Sequence, residues 1–106
     1  MRTADAIVFA TPIYYYEMSG QMKTLLDRAN PLYASDYAFR DIYLLTTAAD
    51  TEEGTDARAI GGLEGWIECF PKAKLAGTVF AGGVNGVGEI KGHDALKRAY
   101  EMGKTV

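Results

Sequence analysis

Residues 4–28 read ADAIVFATPIYYYEMSGQMKTLLDR. The run Ala6–Ala10 is continuously apolar and stops at Thr11 and Pro12, which is typical of a strand covered on both faces in a parallel sheet. From Ser19 onward the apolar residues recur at helical spacing, and serine is a residue type that commonly caps helix N-termini. The stretch therefore predicts a buried strand, a short aromatic loop and an amphipathic helix.

The alternation of strand and helix continues to the end of the chain. Ile42–Thr46 and Leu75–Ala81 are further candidates for buried strands, and helices are predicted over about 55–70 and from an N-cap at Asp94. Glycines inside the first of these helices predict close packing against another backbone. This order indicates crossover connections and a parallel sheet, with the first two helices on one face and the last on the other.

Composition narrows the class of protein. The chain has 106 residues and a formal net charge of −3, so we expect one domain and no nucleic-acid or anionic-membrane partner. The apolar runs are far shorter than the ~20 residues that cross a bilayer, and neither a signal peptide nor a membrane anchor is predicted. Cys69 is the only cysteine, which excludes an internal disulfide and a cysteine-rich metal cluster. We expect a buried, unreactive thiol and a cytoplasmic protein without a metal site.

Three loops are expected to meet at the carboxyl edge of this sheet, where open parallel sheets bind ligands. They are TPIYYYEMSG (11–20), TTAADTEEGTD (46–56) and GGVNGVGEIKGHD (82–94). Aromatic rings, backbone amides beside small side chains, and flexible glycine backbone suit a planar ring with polar edges better than a metal or a bare phosphate. A structural alternative remains open, in which one tyrosine packs inward, one covers the helix start and one is merely exposed.

Residues 4–28 closely resemble the FMN-contacting segment of flavodoxin-fold NAD(P)H-dependent FMN and quinone reductases. The pattern of that family is an apolar strand, T-P-x-Y, a short loop, S-G-x-[LM]-K and a helix ending in D-R. GWIECF (65–70), FAGGVNGVGEIKG (80–92) and ALKRAYEMGK (95–104) also resemble the closing part of the family. The resemblance implies a flavodoxin-like three-layer α/β/α fold, truncated to three parallel strands (family strands 3, 4 and 5) with three helices. Residues 1–106 would form a single partial domain.

The resemblance also implies a cofactor site in the first two loops. It places the first strand end and two tyrosines against the flavin ring, a helix start beside them, and the second loop at the pyrimidine edge. It implies NAD(P)H as a possible electron donor and a small acceptor such as a quinone. No catalytic side chain is expected, because the flavin carries the hydride chemistry, and His93 is expected to have a capping or surface role. The implied cofactor-binding residues are Thr11, Pro12, Ile13, Tyr14, Tyr15, Ser19, Gly20, Lys23, Thr47, Ala48, Ala49 and Asp50.

Members of that family begin with a strand and a phosphate-binding loop rich in Ser, Asn and Thr, and the segment that corresponds to residues 4–28 comes later. We therefore expect this chain alone to bind FMN weakly or not at all. We also expect a homodimer or higher oligomer formed through the strand edge at Ala6–Ala10. Two functions follow: an NAD(P)H-dependent FMN-binding oxidoreductase of the flavin or quinone reductase type, incomplete in this chain, or a non-enzymatic truncated module that oligomerises through this edge and binds no flavin.

Overall fold

The computed structural model describes residues 1–106 as alternating strands and helices. Four strands, three α-helices and one short 3-10 helix follow one another along the chain. They are β1 (Ala6–Tyr14), β2 (Glu17–Met18), α1 (Gly20–Arg28), the 3-10 helix (Asn30–Leu32), β3 (Asp41–Thr47), α2 (Ala57–Glu68), β4 (Lys74–Ala81) and α3 (Asp94–Gly103).

The strands form one sheet in the order β2-β1-β3-β4. The parallel pairing predicted for the three long strands is confirmed, since β1 pairs with β3 and β3 with β4 in parallel. The expectation of three parallel strands alone was wrong. The chain reverses after β1, and β2 returns antiparallel beside Ile13 and Tyr14, so the sheet is mixed.

Helices cover both faces of the sheet, two on one side and one on the other. Leu44 belongs to the core beneath α1 and α2, whereas its neighbour Leu45 packs against the cluster beneath α3, because successive strand side chains point to opposite faces. The smaller cluster joins Val79 and Ala81 of β4 to Ala95 of α3. The larger core contains Phe9, Met18, Met22, Leu26, Tyr37, Phe39, Ile42, Leu44, Ala59, Leu63, Ile67 and Phe70.

The expectation that both faces of the first strand are covered was wrong. Phe9 and Thr11 are buried against the α1 and α2 side, but Val8 is 49% exposed, and Ala10 and Pro12 on the same face are also exposed. The physical reason is the position of α3, which packs on β4 and leaves the corresponding face of β1 open. A continuous apolar run therefore did not mean burial on both sides.

The helix starts agree with the sequence in one case and differ in another. Ser19 is the N-cap of α1, and its Oγ accepts a hydrogen bond from Met22 N at 3.2 Å. The N-cap of α3 is His93, which corrects the expectation for Asp94, the first helical residue. The α2 helix is shorter than expected, and Asp56 precedes it without a side-chain cap.

Close backbone packing of the α2 glycines is not observed. Beyond the α2 backbone and the neighbouring residues, no heavy atom lies within 4 Å of the Cβ position of Gly61 or Gly65, and the position at Gly62 meets only the Met18 side chain, at 3.1 Å. Cys69, expected to be buried, is exposed at the end of this helix. No helix in the structure has both the length and the apolar character needed to cross a membrane.

Candidate functional site

The carboxyl ends of the three parallel strands lie side by side. The register pairs Pro12 of β1 with Thr47 of β3, and Thr47 with Ala81 of β4. The three loops that follow these residues therefore meet along one edge of the sheet, which is where ligands bind in folds of this kind. The residues implied as cofactor-binding all lie on the first two of these loops or on the elements that flank them.

The three tyrosines form a tight turn between β1 and β2. Tyr15 and Tyr16 have φ angles of 51° and 67°, and positive φ at both central residues is the mark of the hairpin turn that normally prefers Asn-Gly. Tyr14, Tyr15 and Tyr16 are 60%, 96% and 53% exposed. The alternative in which one tyrosine packs inward is therefore wrong, and the turn presents aromatic surface to solvent.

Tyr16 differs from the other two tyrosines because it has a partner within the chain. The Arg58 guanidinium carbon lies 6.0 Å from the centre of the Tyr16 ring. Arg58 is in the first turn of α2 and has no carboxylate within ion-pair distance. The rings of Tyr14 and Tyr15 make no aromatic or cation–π contact, so they remain available to a ligand.

The buried hydroxyl group of Thr11 ties the two ends of the tyrosine loop together. Thr11 Oγ1 accepts a hydrogen bond from Ser19 N at 2.9 Å and donates to Pro12 O at 2.8 Å. Thr11 and Ser19 are only 4% and 6% exposed. The Thr11 side chain and the Ser19 backbone amide hold the loop in shape, so side-chain contact with a ligand at this point would come from the exposed Pro12 and the half-buried Ile13.

The positive charge of Lys23 near the start of α1 is paired within the helix and is less available to a ligand than the sequence suggests. Lys23 Nζ forms an ion pair with Asp27 Oδ1 at 2.6 Å, one helical turn further along, and both side chains are about 60% exposed. Gly20, the first residue of the helix, is exposed. The ammonium group of Lys23 is thus already paired within its own helix.

The second loop is held by backbone hydrogen bonds from the third. Ala48 O accepts from Val84 N at 2.9 Å, and Asp50 O accepts from Gly83 N at 3.2 Å. A Cβ at Gly82 would lie 2.8 Å from Asp50 O, so only glycine allows this approach. The amides of Ala49, Asp50 and Thr51 donate to no acceptor within the chain. These three donors lie on exposed residues and can bind the polar edge of a ligand.

The third loop carries its own anion, which sequence reasoning missed. Glu89 Oε2 accepts hydrogen bonds from Asn85 N at 2.6 Å and Gly86 N at 3.0 Å. The hydrogen bond from Asn85, and after it the one from Gly86, lowers the pKa of the Glu89 carboxyl from its ordinary 4.5. Two glycine-loop amides are therefore occupied by this carboxylate, and the sequence signal was a glutamate following a glycine-rich turn.

The side chains of Thr46 and His93 make three further hydrogen bonds beside the loops. Thr46 Oγ1 donates to Asp56 Oδ2 at 2.7 Å, and both residues are buried, which fixes the start of α2 to β3. His93 Nδ1 accepts from Ala95 N at 3.0 Å, so its Nε2 carries the proton and donates to Gly82 O at 2.8 Å. The capping role expected for His93 is confirmed.

An apolar cavity of ≈ 360 Å³, called here the α3 groove, lies next to these loops. It runs between α3 and the open face of β1 and β3, and it shares Thr11, Pro12 and Thr47 with the implied cofactor site. Its other lining residues are Ala10, Leu45, Thr46, Val79, Ala81, Ile90, Ala95, Leu96 and Ala99.

Comparison with known proteins places the chain in a family. The family model described as NADPH-dependent FMN reductase matches residues 1–59, more than half of the 106 residues. The chain belongs to the NADPH-dependent FMN reductase family. The matched part of this reductase-family chain includes β1, the tyrosine turn and the second loop, so the family assignment rests on the same residues that form the candidate site.

A solved structure supports the fold of this reductase-family chain. The structure of Trp repressor binding protein from Bacillus subtilis is similar with a TM-score of 0.74 and 24% sequence identity. The match covers 91% of this chain and 66% of that chain, so the reductase-family chain spans about two-thirds of the length of its neighbour. At this identity the likeness shows the flavodoxin-like α/β fold alone. No curated protein matches the chain.

Proposed function

We propose that this chain forms the ring-binding part of an NAD(P)H-dependent FMN oxidoreductase of the flavin or quinone reductase type. Its three parallel strands would correspond to strands 3, 4 and 5 of the flavodoxin order 2-1-3-4-5. The proposal rests on two groups of residues that lie close together at one edge of the sheet. The first group is the exposed tyrosines of the strained turn between β1 and β2. The second is the three backbone amides of Ala49, Asp50 and Thr51, which have no acceptor within the chain.

The tyrosines and the backbone amides would contact different parts of the flavin. The rings of Tyr14 and Tyr15 would lie against the flavin, with the backbone of residues 11–13 along its side. The amides of Ala49 and Asp50 would donate to the pyrimidine edge, where hydrogen-bond donors stabilise negative charge. When bound, FMN supplies the hydride chemistry between NAD(P)H and a small acceptor such as a quinone. The residues of the chain bind and orient the ring.

The same residues suit the flavin ring better than its phosphate. Lys23 is paired with Asp27, and Glu89 occupies the amides of Asn85 and Gly86. Charge-assisted hydrogen bonds contribute about 1.5 to 3 kcal/mol each, so a phosphate without about three of them loses on the order of 4 to 6 kcal/mol. This corresponds to roughly a thousandfold in affinity, and we therefore propose weak FMN binding by this chain alone.

The uncovered face of β1 favours a second candidate function. Val8, Ala10 and Pro12 are exposed beside the α3 groove, and a contiguous exposed apolar surface is typical of sites that bind another protein. In this alternative the chain is a non-enzymatic module that associates through its sheet edge and binds no flavin.

Flavin titration separates the two functions. Added protein is expected to quench the fluorescence of FMN with a dissociation constant in the high micromolar range, because ring stacking and edge hydrogen bonds remain when the phosphate is poorly held. Tyr14→Ala removes one ring from the site and is expected to weaken binding about fivefold to tenfold. Tyr33→Ala is the matched control, since Tyr33 is similarly exposed, at 64%, but lies beyond α1. Absence of quenching at millimolar protein would favour the module without flavin.

A further inference from the structure

Asp56, the residue before α2, is the only charged residue that is buried in this chain, with 6% of its surface exposed. Thr46 Oγ1 donates a hydrogen bond to one of its carboxylate oxygens, Oδ2, at 2.7 Å, and that single bond already ties the start of α2 to β3. No cationic side chain lies within ion-pair distance of Asp56. Buried carboxylates are normally paired with a cation, so the second oxygen, Oδ1, lacks the partner that its burial calls for.

The unpaired oxygen of Asp56 reaches open space. Oδ1 takes part in no hydrogen bond within the chain, and no side-chain oxygen that is sealed from solvent is without a partner in this structure. Asp56 lines a cavity of ≈ 680 Å³, called here the β4 cavity, together with residues of the second loop, β4 and the start of α3. No residue of β1 lines it, and in the order 2-1-3-4-5 the strand that would correspond to β4 is the outermost one.

Carboxylates outnumber cations around the β4 cavity. Glu53 and Asp94 line it together with Asp56, and none of the three carboxylates has an ion-pair partner. Arg98 is the single cation of the lining, and its Nη2 donates to a backbone carbonyl of β4 at 2.9 Å. His93 uses both ring nitrogens for hydrogen bonds to the backbone. Three carboxylates against one guanidinium give the cavity a negative potential that attracts a cation.

We propose that the β4 cavity binds an aliphatic primary amine, whose ammonium group pairs with Oδ1 of Asp56. An ammonium group donates up to three hydrogen bonds, and hydrogen bonds between two charged groups are stronger than those between neutral groups. Ile60 and Phe80 line the same cavity and offer apolar surface to the carbon chain. A metal ion fits less well, because the chain holds no cluster of three or more His, Cys, Asp or Glu side chains arranged to bind one. None of the lining residues belongs to the implied cofactor set, so this binding does not depend on flavin.

Titration with 1,5-diaminopentane tests the site in the absence of flavin. At low ionic strength the amide NMR signals of residues 53–56 and 94–98 are expected to shift and to saturate with a dissociation constant of about 1 mM or below. The control ligand is 1,5-pentanediol, which has the same carbon chain but no charge, and it is expected to bind at least about tenfold more weakly. Equal binding of the two ligands, or no shift with the diamine, would overturn the proposal.

Removal of the buried charge tests the role of Asp56. Asp56→Asn keeps an oxygen that can accept from Thr46 and removes the negative charge, so it is expected to weaken diamine binding at least about tenfold. Glu68→Gln is the matched control, because it removes the same charge from an exposed position at the other end of α2, and less than about a twofold change is expected. Equal losses in the two variants would mean that the amine is held only by the net charge of the chain, which would overturn the proposal.

Two exposed residues of the lining keep the test decisive if Asp56→Asn does not fold. Glu53→Gln removes an attractive charge and is expected to weaken binding of the diamine about threefold, whereas Arg98→Gln removes a repulsive charge and is expected to strengthen it by a similar factor. A purely structural role of these residues predicts no such change of sign. Weaker binding in Arg98→Gln, or unchanged binding in both variants, would overturn the proposal.

Discussion

Tyr15 and Tyr16 hold backbone conformations that residues with large side chains rarely adopt. Each left-handed residue of this kind costs on the order of 1 to 2 kcal/mol. The ring of Tyr15 is 96% exposed, so packing within the chain does not offset the cost at that residue. Strain combined with an exposed aromatic ring is a pattern found where a chain contacts a ligand, and it is the residue-scale basis of the proposed flavin site.

Replacing Tyr15 with asparagine tests this strain. Asparagine tolerates the left-handed region, so Tyr15→Asn is expected to raise the free energy of unfolding by about 0.5 to 1 kcal/mol in urea titrations while weakening flavin binding. Tyr33→Asn is the control, because Tyr33 is exposed but has an ordinary φ of −54°, and no gain in stability is expected there. A loss of stability in Tyr15→Asn would mean that the tyrosine turn is not strained.

At the scale of elements, the features that depend on local sequence pattern were predictable from the sequence. The apolar runs of β1, β3 and β4 and the serine cap of α1 were visible, and so was the convergence of three loops at one edge. The two-residue strand β2 was not predictable, since it has no periodicity and its turn lacks the usual Asn-Gly. The open face of β1 was missed because burial of a strand depends on where a distant helix packs.

The hydrogen bonds of Glu89 to its loop and of His93 to Gly82 O belong to the same class of missed features, whereas the capping role of His93 was expected. Each side chain meets backbone groups whose positions depend on the folded loop, and no spacing rule specifies them. For the candidate cofactor residues, the sequence specified which residues to consider but not which of their polar groups are free. Their identity came from a family pattern, but only the structure distinguishes the free amide of Ala49 from the paired ammonium of Lys23.

The third loop gives a pH-dependent prediction at this scale. The Glu89 carboxyl has a pKa lowered from 4.5 in the folded chain, so its ionised form favours the folded loop. That contribution is present above pH 4.5 and is lost as the pH falls through the lowered folded value. In NMR titrations the amide protons of Asn85 and Gly86 are expected to shift with a midpoint below 4.5. Glu89→Gln is expected to abolish this titration, and a midpoint at or above 4.5 would show that the carboxylate does not accept these bonds in solution.

At the scale of the whole molecule, the chain combines a candidate ring site with an uncovered face of β1 and an apolar groove. The family match covers the candidate ring site, and the structural match covers 66% of the solved neighbour. One face of β1 is uncovered because α3 packs on β4, and β2 pairs only with Ile13 and Tyr14 on the outer side of β1.

Comparison of FMN with riboflavin, which lacks the phosphate, tests the proposal that this chain binds the flavin ring and not the phosphate. If the ring provides the binding, the two ligands are expected to quench with dissociation constants within about threefold of each other, a difference below about 0.7 kcal/mol. Arg58 lies over the Tyr16 ring and has no carboxylate partner, so Arg58→Gln is the informative variant. It is expected to leave the ratio unchanged, with Arg2→Gln as a control for net charge. FMN binding tenfold or more tighter than riboflavin would show that the chain holds the phosphate after all, and loss of that preference in Arg58→Gln would identify the residue responsible.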